Sequence, residues 1–80
     1  MSEEKDLSIN PIEIYVKLIG EGTLVFRPTI GEPIGEGQFR LLPTEDYDPE
    51  DETWEFLPGS VVRGEKRRLD GDDVIVAVSP

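Results

Sequence analysis

Acidic side chains are concentrated in one stretch, residues 45–55, and their oxygens are of the type that binds cations. The acids of this stretch are Glu45, Asp46, Asp48, Glu50, Asp51, Glu52 and Glu55. Calcium requires several such oxygens to converge on one point. Counted from Asp46, an EF-hand loop would need glycine at its sixth position and glutamate at its twelfth, but Asp51 and Leu57 stand there. We therefore predict a solvated acidic loop and no metal site.

Catalytic side chains are scarce in this sequence. It has no histidine and no cysteine, which removes the commonest general base, the commonest transition-metal ligands and any disulfide bond. A serine or threonine nucleophile would have to use Lys5, Lys17 or Lys66 as its base, and none of these lies in a known motif. The glycines form no phosphate-binding loop. We therefore expect a protein that is not an enzyme and uses no cofactor.

The same acidic stretch is a candidate surface for binding a basic protein. Eighteen acidic residues stand against eight basic ones, which gives a formal net charge of -10. This charge repels phosphate backbones and anionic membranes, so nucleic acid and membranes are disfavoured as partners. We expect a monomer or weak dimer that binds another protein. The candidate partner-binding residues are Asp46, Tyr47, Asp48, Glu50, Asp51, Glu52, Arg63 and Arg67.

Basic side chains cluster in residues 63–68, which include Arg63, Lys66, Arg67 and Arg68. The simpler interpretation is a charged strand end whose charge is offset by the nearby Asp70, Asp72 and Asp73. The alternative is a nucleic-acid-associated barrel that binds phosphate groups through this basic strand. The acidity of the whole chain makes the alternative the weaker hypothesis.

Two aromatic residues, Tyr47 and Trp54, flank the acidic run. They could line a groove for proline-rich or basic peptides, or Trp54 could fill the core with Tyr47 packed against it. We predict a core position for Trp54 and leave Tyr47 open. The pair Arg27-Pro28 indicates either a bulge or an exposed arginine on a bent edge strand, which would suit strand addition or a dimer contact.

Short strands joined by glycine turns must position these residues. Residues 1–11 read as a flexible tail, and residues 12–79 as one small domain. Alternating apolar residues predict a strand over 12–19 with Ile14, Val16 and Leu18 on one face. Further strands are predicted over 24–27, 39–42, 61–69 and 73–79. Asp70-Gly71 favours a hairpin turn, and Asp48 can start at most one helical turn near 48–52.

Two segments, the second strand and the last strand, give further information on the predicted fold. Pro28 and Pro33 place a bend or bulge in the second strand. The last strand is apolar on both faces, which is typical of a central or covered strand. Five to six strands, with no helix to cover a flat sheet, favour closure of the sheet into a barrel. We therefore predict an all-β domain, a small SH3-like barrel.

Several short motifs resemble a group of short uncharacterised bacterial proteins, with the likeness running over roughly residues 12–78. The motifs are Ile14-Tyr15-Val16-Lys17-Leu18, Glu21-Gly22, Val25-Phe26-Arg27-Pro28, Phe39-Arg40, Trp54-Glu55-Phe56 and Pro58-Gly59-Ser60-Val61-Val62-Arg63. The resemblance implies an SH3-like barrel and no particular activity. The group is expected to carry a tryptophan where this chain has Phe26, and a larger residue where it has Gly64.

The location is predicted from the first residues and from hydropathy. Residues 1–6 are largely acidic and are not followed by the apolar segment of a secretory signal. No apolar run approaches the length of a membrane span. We expect a cytoplasmic protein.

Overall fold

The computed structural model describes residues 10–80, and this range contains six β-strands and no helix. The strands are β1 (Ile12–Ile19), β2 (Phe26–Gly35), β3 (Gln38–Leu42), β4 (Thr53–Trp54), β5 (Val61–Leu69) and β6 (Asp72–Val78). The predicted all-β class is therefore confirmed. Most of the predicted N-terminal tail, residues 1–9, lies outside the described residues.

The strand pairings form a continuous series. The order is β2-β3-β5-β6-β1-β4, and a further pairing joins β1 to β2. Neighbouring strands are antiparallel except β1 and β6, which run parallel and meet at Tyr15 and Val76. The series from β1 through β2, β3, β5 and β6 thus returns to β1, and it leaves β4 as a short addition beside the end of β1.

The alternation predicted for β1 is confirmed. Ile14, Val16 and Leu18 are buried, whereas Glu13 and Ile19 are exposed. The buried side chains of one face meet residues from the other strands, because successive side chains of a strand point to opposite sides. The resulting core consists of Ile14, Val16, Leu18, Leu41, Trp54, Val62 and Ala77.

Strand β2 pairs with a neighbour along each of its two edges and is irregular near Pro33. Its first part pairs with β1, where Pro28 lies opposite Tyr15. Its second part pairs with β3, and the register shifts between Pro33 and Gly35. Proline has no N–H to donate, so such a shift near Pro33 is physically consistent. A bulge-type irregularity, one of the two predicted outcomes, is therefore present near Pro33. The strand predicted over 24–27 begins at Phe26 and continues to Gly35.

The hairpin between β5 and β6 forms at the predicted turn. Asp70 and Gly71 both have positive φ, 52° and 86°, which matches the tight turn that an Asp-Gly pair favours. Strand β6 then lies between β5 and β1. The central position expected for an apolar strand is therefore confirmed.

Gly64 in β5 allows Phe39 of β3 to pack closely on the sheet. A Cβ atom at position 64 would lie 2.8 Å from Ile75 Cγ2 and 2.9 Å from Phe39 Cε1, both shorter than van der Waals contact. Phe39 thus occupies the space that a larger residue at position 64 would need.

We predict that Gly64→Ala destabilises the fold by about 1–3 kcal/mol, because the added methyl group forces Phe39 or Ile75 to move. The matched control is Gly35→Ala, where the new Cβ would lie 3.6 Å from Gln38 Oε1. We expect this control to change stability by less than about 0.5 kcal/mol. Urea unfolding measures both variants, and equal effects would contradict the packing role of Gly64.

Candidate functional site

The acidic loop, residues 45–55, lies in the connection between β3 and β5 and contains β4. Its backbone folds on itself in short turns. Tyr47 N donates to Thr44 O at 3.1 Å, and the Asp51 and Glu52 N atoms donate to Asp48 O at 2.9 and 3.0 Å. Asp48 Oδ1 accepts a hydrogen bond from Glu50 N at 2.9 Å. Asp48 therefore starts one turn in the manner predicted, and its side chain supports the loop itself.

Glu52 connects this loop to the sheet. Trp54 Nε1 donates to Glu52 Oε1 at 2.8 Å. Arg27 of β2 donates to the same carboxylate twice, from Nε to Oε1 at 3.3 Å and from Nη2 to Oε2 at 2.5 Å. The Glu52 side chain is 18% exposed and that of Arg27 is 43% exposed. The pair is therefore partly shielded from water and holds residue 52 in one orientation.

These contacts keep Glu52 ionised. The hydrogen bond from Trp54 and the neighbouring Arg27 guanidinium lower the pKa of Glu52 below its ordinary value of 4.5, although partial burial and Asp46 act in the opposite direction. Because the folded-state pKa is lowered, the contribution of Glu52 to stability is present above about pH 4.5. It is lost as the pH falls through the lower, folded-state value.

The two aromatic residues of the loop pack against each other. The rings of Tyr47 and Trp54 lie 4.9 Å apart between centroids, at 70°, in the edge-to-face arrangement that aromatic pairs favour. Trp54 is only 2% exposed and belongs to the core, as predicted. Tyr47 is half-buried and packs against that core. The Trp54 ring is therefore not available to line a peptide groove.

The candidate carboxylates separate into two groups. Asp48 and Glu52 support the loop, whereas Glu45, Asp46, Glu50, Asp51 and Glu55 are exposed to solvent. Among the ion pairs that join described residues, Glu52 is the single loop acid involved. The loop thus presents several exposed negative charges on a backbone with defined turns. No group of three or more acids within residues 10–80 is arranged to hold a metal ion.

The basic strand is partly offset by acids beside it. Arg67 Nε donates to Glu65 Oε2 at 2.8 Å, and Arg68 Nε donates to Asp73 Oδ1 at 3.4 Å. The contact with Arg67 lowers the pKa of Glu65, while Glu65 raises that of Arg67. The prediction that Asp73 offsets the positive charge of the basic strand is confirmed. Glu65 offsets the charge of Arg67 in the same way.

The remaining basic candidates lie on the same strand. Arg63 and Lys66 are exposed. Glu55 and Arg67 line the same surface groove, so the structure brings the end of the acidic loop beside β5.

The ion pair between Arg27 and Glu52 was not predicted from the sequence. The two residues are 25 positions apart, and no motif links them. Arg27 was expected either at a bulge or as an exposed edge residue, but it lies opposite Val16 in the register of β1 and β2 and is half-buried. Only the positions of β2 and the loop in the fold could reveal the pair.

Comparison with protein-family models, with curated proteins and with solved structures finds no match to this chain. Within residues 10–80 there is no helix with the length and apolar character needed to cross a membrane. Function must therefore be inferred from the geometry of the chain itself.

We predict that Trp54→Ala lowers the free energy of unfolding by about 3–5 kcal/mol, because it leaves a large cavity in the core. Trp54→Phe should cost less, since it keeps most of the ring but removes the donor to Glu52. Urea unfolding followed by circular dichroism measures both. A stable Trp54→Ala variant would contradict the core position.

Glu52→Gln should cost about 0.5–1 kcal/mol at neutral pH, because it removes a partly exposed ion pair but keeps an acceptor for Trp54. The difference in stability from the unmodified protein should shrink as the pH falls below about 4.5. Glu50→Gln, at an exposed position in the same loop, is the control. A pH-independent difference for Glu52→Gln would show that the ion pair with Arg27 does not contribute.

Proposed function

We propose that this protein is a non-enzymatic interaction module with an SH3-like barrel, and that it binds a basic protein partner through the acidic loop. The observation that supports this most directly is the set of exposed loop carboxylates on a backbone that Asp48, Glu52 and Trp54 hold in place.

The pairing pattern supports the barrel. The series of strand pairings from β1 through β6 returns to β1, as expected when a small sheet closes and removes its free edges. Strand β2 pairs with both β1 and β3. In a small barrel, one long strand can pair in this way with strands of both halves of the barrel.

The fixed shape of the loop favours binding. A disordered acidic segment would lose conformational entropy when it binds, and that loss opposes association. Here the backbone turns at Asp48 and the anchor at Glu52 have already ordered the loop. The exposed acids Asp46, Glu50 and Asp51 can therefore meet a cationic surface with a smaller entropic cost.

The charges favour a basic partner over nucleic acid. The net charge of -10 attracts cationic proteins and repels phosphate. On the basic strand, Arg67 and Arg68 already contact Glu65 and Asp73. Nucleic-acid binding through Arg63, Lys66, Arg67 and Arg68 remains the second hypothesis, and the experiment below includes it as an outcome.

We predict that neutralising the loop weakens binding to a lysine-rich peptide by roughly tenfold at low salt, since each exposed ion pair contributes up to about 1 kcal/mol. The loop variant combines Glu45→Gln, Asp46→Asn, Glu50→Gln and Asp51→Asn. Affinity should also fall as salt screens the charges. Isothermal titration calorimetry or fluorescence anisotropy provides the measurement.

The matched control removes the same charge from exposed positions elsewhere, with Glu13→Gln, Glu21→Gln, Glu32→Gln and Glu36→Gln. An equal loss in this control, or binding that does not depend on salt, would contradict a loop-specific site. If an oligonucleotide binds at low salt, and alanine substitutions at Arg63, Lys66, Arg67 and Arg68 abolish it, the second hypothesis is favoured instead.

A further inference from the structure

Strand β6 has apolar side chains on both faces, but only one face belongs to the main core. Ala77 is part of that core and Ile75 packs against it. Val74 and Val76 point to the opposite, outer face, because side chains alternate along a strand. Val76 is only 2% exposed although it lies outside the main core. The outer face of β6 therefore carries a second apolar layer.

Val74 of this layer lines an open groove of about 440 Å³, a size in the range of small-ligand sites. The apolar lining residues of the groove are Tyr15 of β1, Leu24 and Val25 just before β2, Phe26 at the start of β2, Leu69 of β5 and Val74 of β6. Leu24 is 68% exposed. The described residues thus line the groove but do not cover it.

A second groove of about 480 Å³ extends the first toward the acidic loop. Leu24 and Phe26 line both grooves. The second groove continues to Glu55 and Phe56, which follow β4 at the end of the loop. Together the two grooves run from the acidic loop to the hairpin between β5 and β6, and both apolar and charged side chains line them.

The charges along the first groove favour a cationic occupant. The charged residues that line the first groove are Asp70 and Asp72, and no basic residue of the described chain lines it. In the second groove Glu55 and Glu65 face Lys17 and Arg67, and Arg67 contacts Glu65. Among the described residues, acids are thus the only charged residues that line the first groove, whereas two acids and two bases line the second, so the preference for a cation lies at the Asp70 and Asp72 end.

A second copy of this chain is a poor fit for the same groove. It would bring its own net charge of -10 against Asp70, Asp72 and the acidic loop, and like charges across an interface oppose association. A polypeptide with lysine or arginine on either side of an apolar side chain meets both features.

We propose that this groove receives an apolar or aromatic side chain of a partner segment whose flanking residues are basic. The inference rests on the proposed function for the basic character of the partner, and it adds an apolar anchor between Leu24, Phe26 and Val74. In this arrangement the flanking cations on one side lie near Asp70 and Asp72. Those on the other side reach the second groove, where Glu55 and Glu65 lie beside Lys17 and Arg67.

The probes are two synthetic peptides with equal charge, Lys-Lys-Ala-Leu-Trp-Leu-Ala-Lys-Lys and Lys-Lys-Ala-Ser-Ser-Ser-Ala-Lys-Lys. The apolar peptide should bind at least about tenfold more tightly, because it buries an aromatic side chain. In amide NMR spectra it should shift the signals of Tyr15, Leu24, Phe26 and Val74. The serine peptide should shift mainly the signals of the acidic loop.

Leu24→Ser tests the groove, and Leu57→Ser is its control. Both leucines are exposed, at 68% and 57%, so neither substitution should unfold the protein, and Leu57 lines neither groove. Leu24→Ser should bring the affinity for the apolar peptide down to that of the serine peptide, whereas Leu57→Ser should leave it unchanged.

The outcomes separate this proposal from the proposed function. Equal affinity for the two peptides, or an equal effect of Leu24→Ser and Leu57→Ser, overturns the groove but leaves the acidic loop as a binding surface. Groove signals that shift normally in the variant with a neutralised loop support the groove and count against the loop. If neither peptide binds at low salt, both proposals are wrong.

Discussion

The carboxylate of Glu52 links the acidic loop to the folded sheet, and the position of the rest of the loop depends on it. Trp54 donates to it from β4 and Arg27 donates from β2. Arg27 lies opposite Val16, so its charge stands at the border of the core and requires a partner there. Glu52 supplies that partner, and Tyr47 covers the neighbouring Trp54 ring.

This arrangement explains how so acidic a loop can be ordered. Like charges that are crowded together repel one another and favour an extended, solvated chain. The loop overcomes that tendency with contacts that use few of its acids, chiefly Asp48 and Glu52, while the others stay in water. Residues that support the loop and residues that can meet a partner are therefore different members of one short segment.

The parts of the structure that depend on local pattern were predictable from the sequence. The alternation in β1, the turn at Asp70-Gly71 and the irregularity near Pro33 each follow from the preferences of a few neighbouring residues. The burial of Trp54 followed from its size and its position near Phe56. These features cover most of the strands.

Features that join distant segments were not predictable in this way. The contact between Arg27 and Glu52 depends on where β2 and the loop meet, and the groove beside Leu24 depends on four strands and a turn. Gly64 is a further example. A glycine in a strand normally indicates local weakness, but here it makes room for Phe39 of the neighbouring strand.

The parallel pairing of β1 with β6 has a consequence for how the chain folds. It joins the first and the last strand of the described chain, through Tyr15 and Val76, so their contact requires nearly the whole sequence to be in place. Contacts between residues far apart in sequence carry a large entropic cost of loop closure and slow the folding reaction. During synthesis, β1 can pair with β2 early, but its edge toward β6 stays unpaired until the last strand has been made.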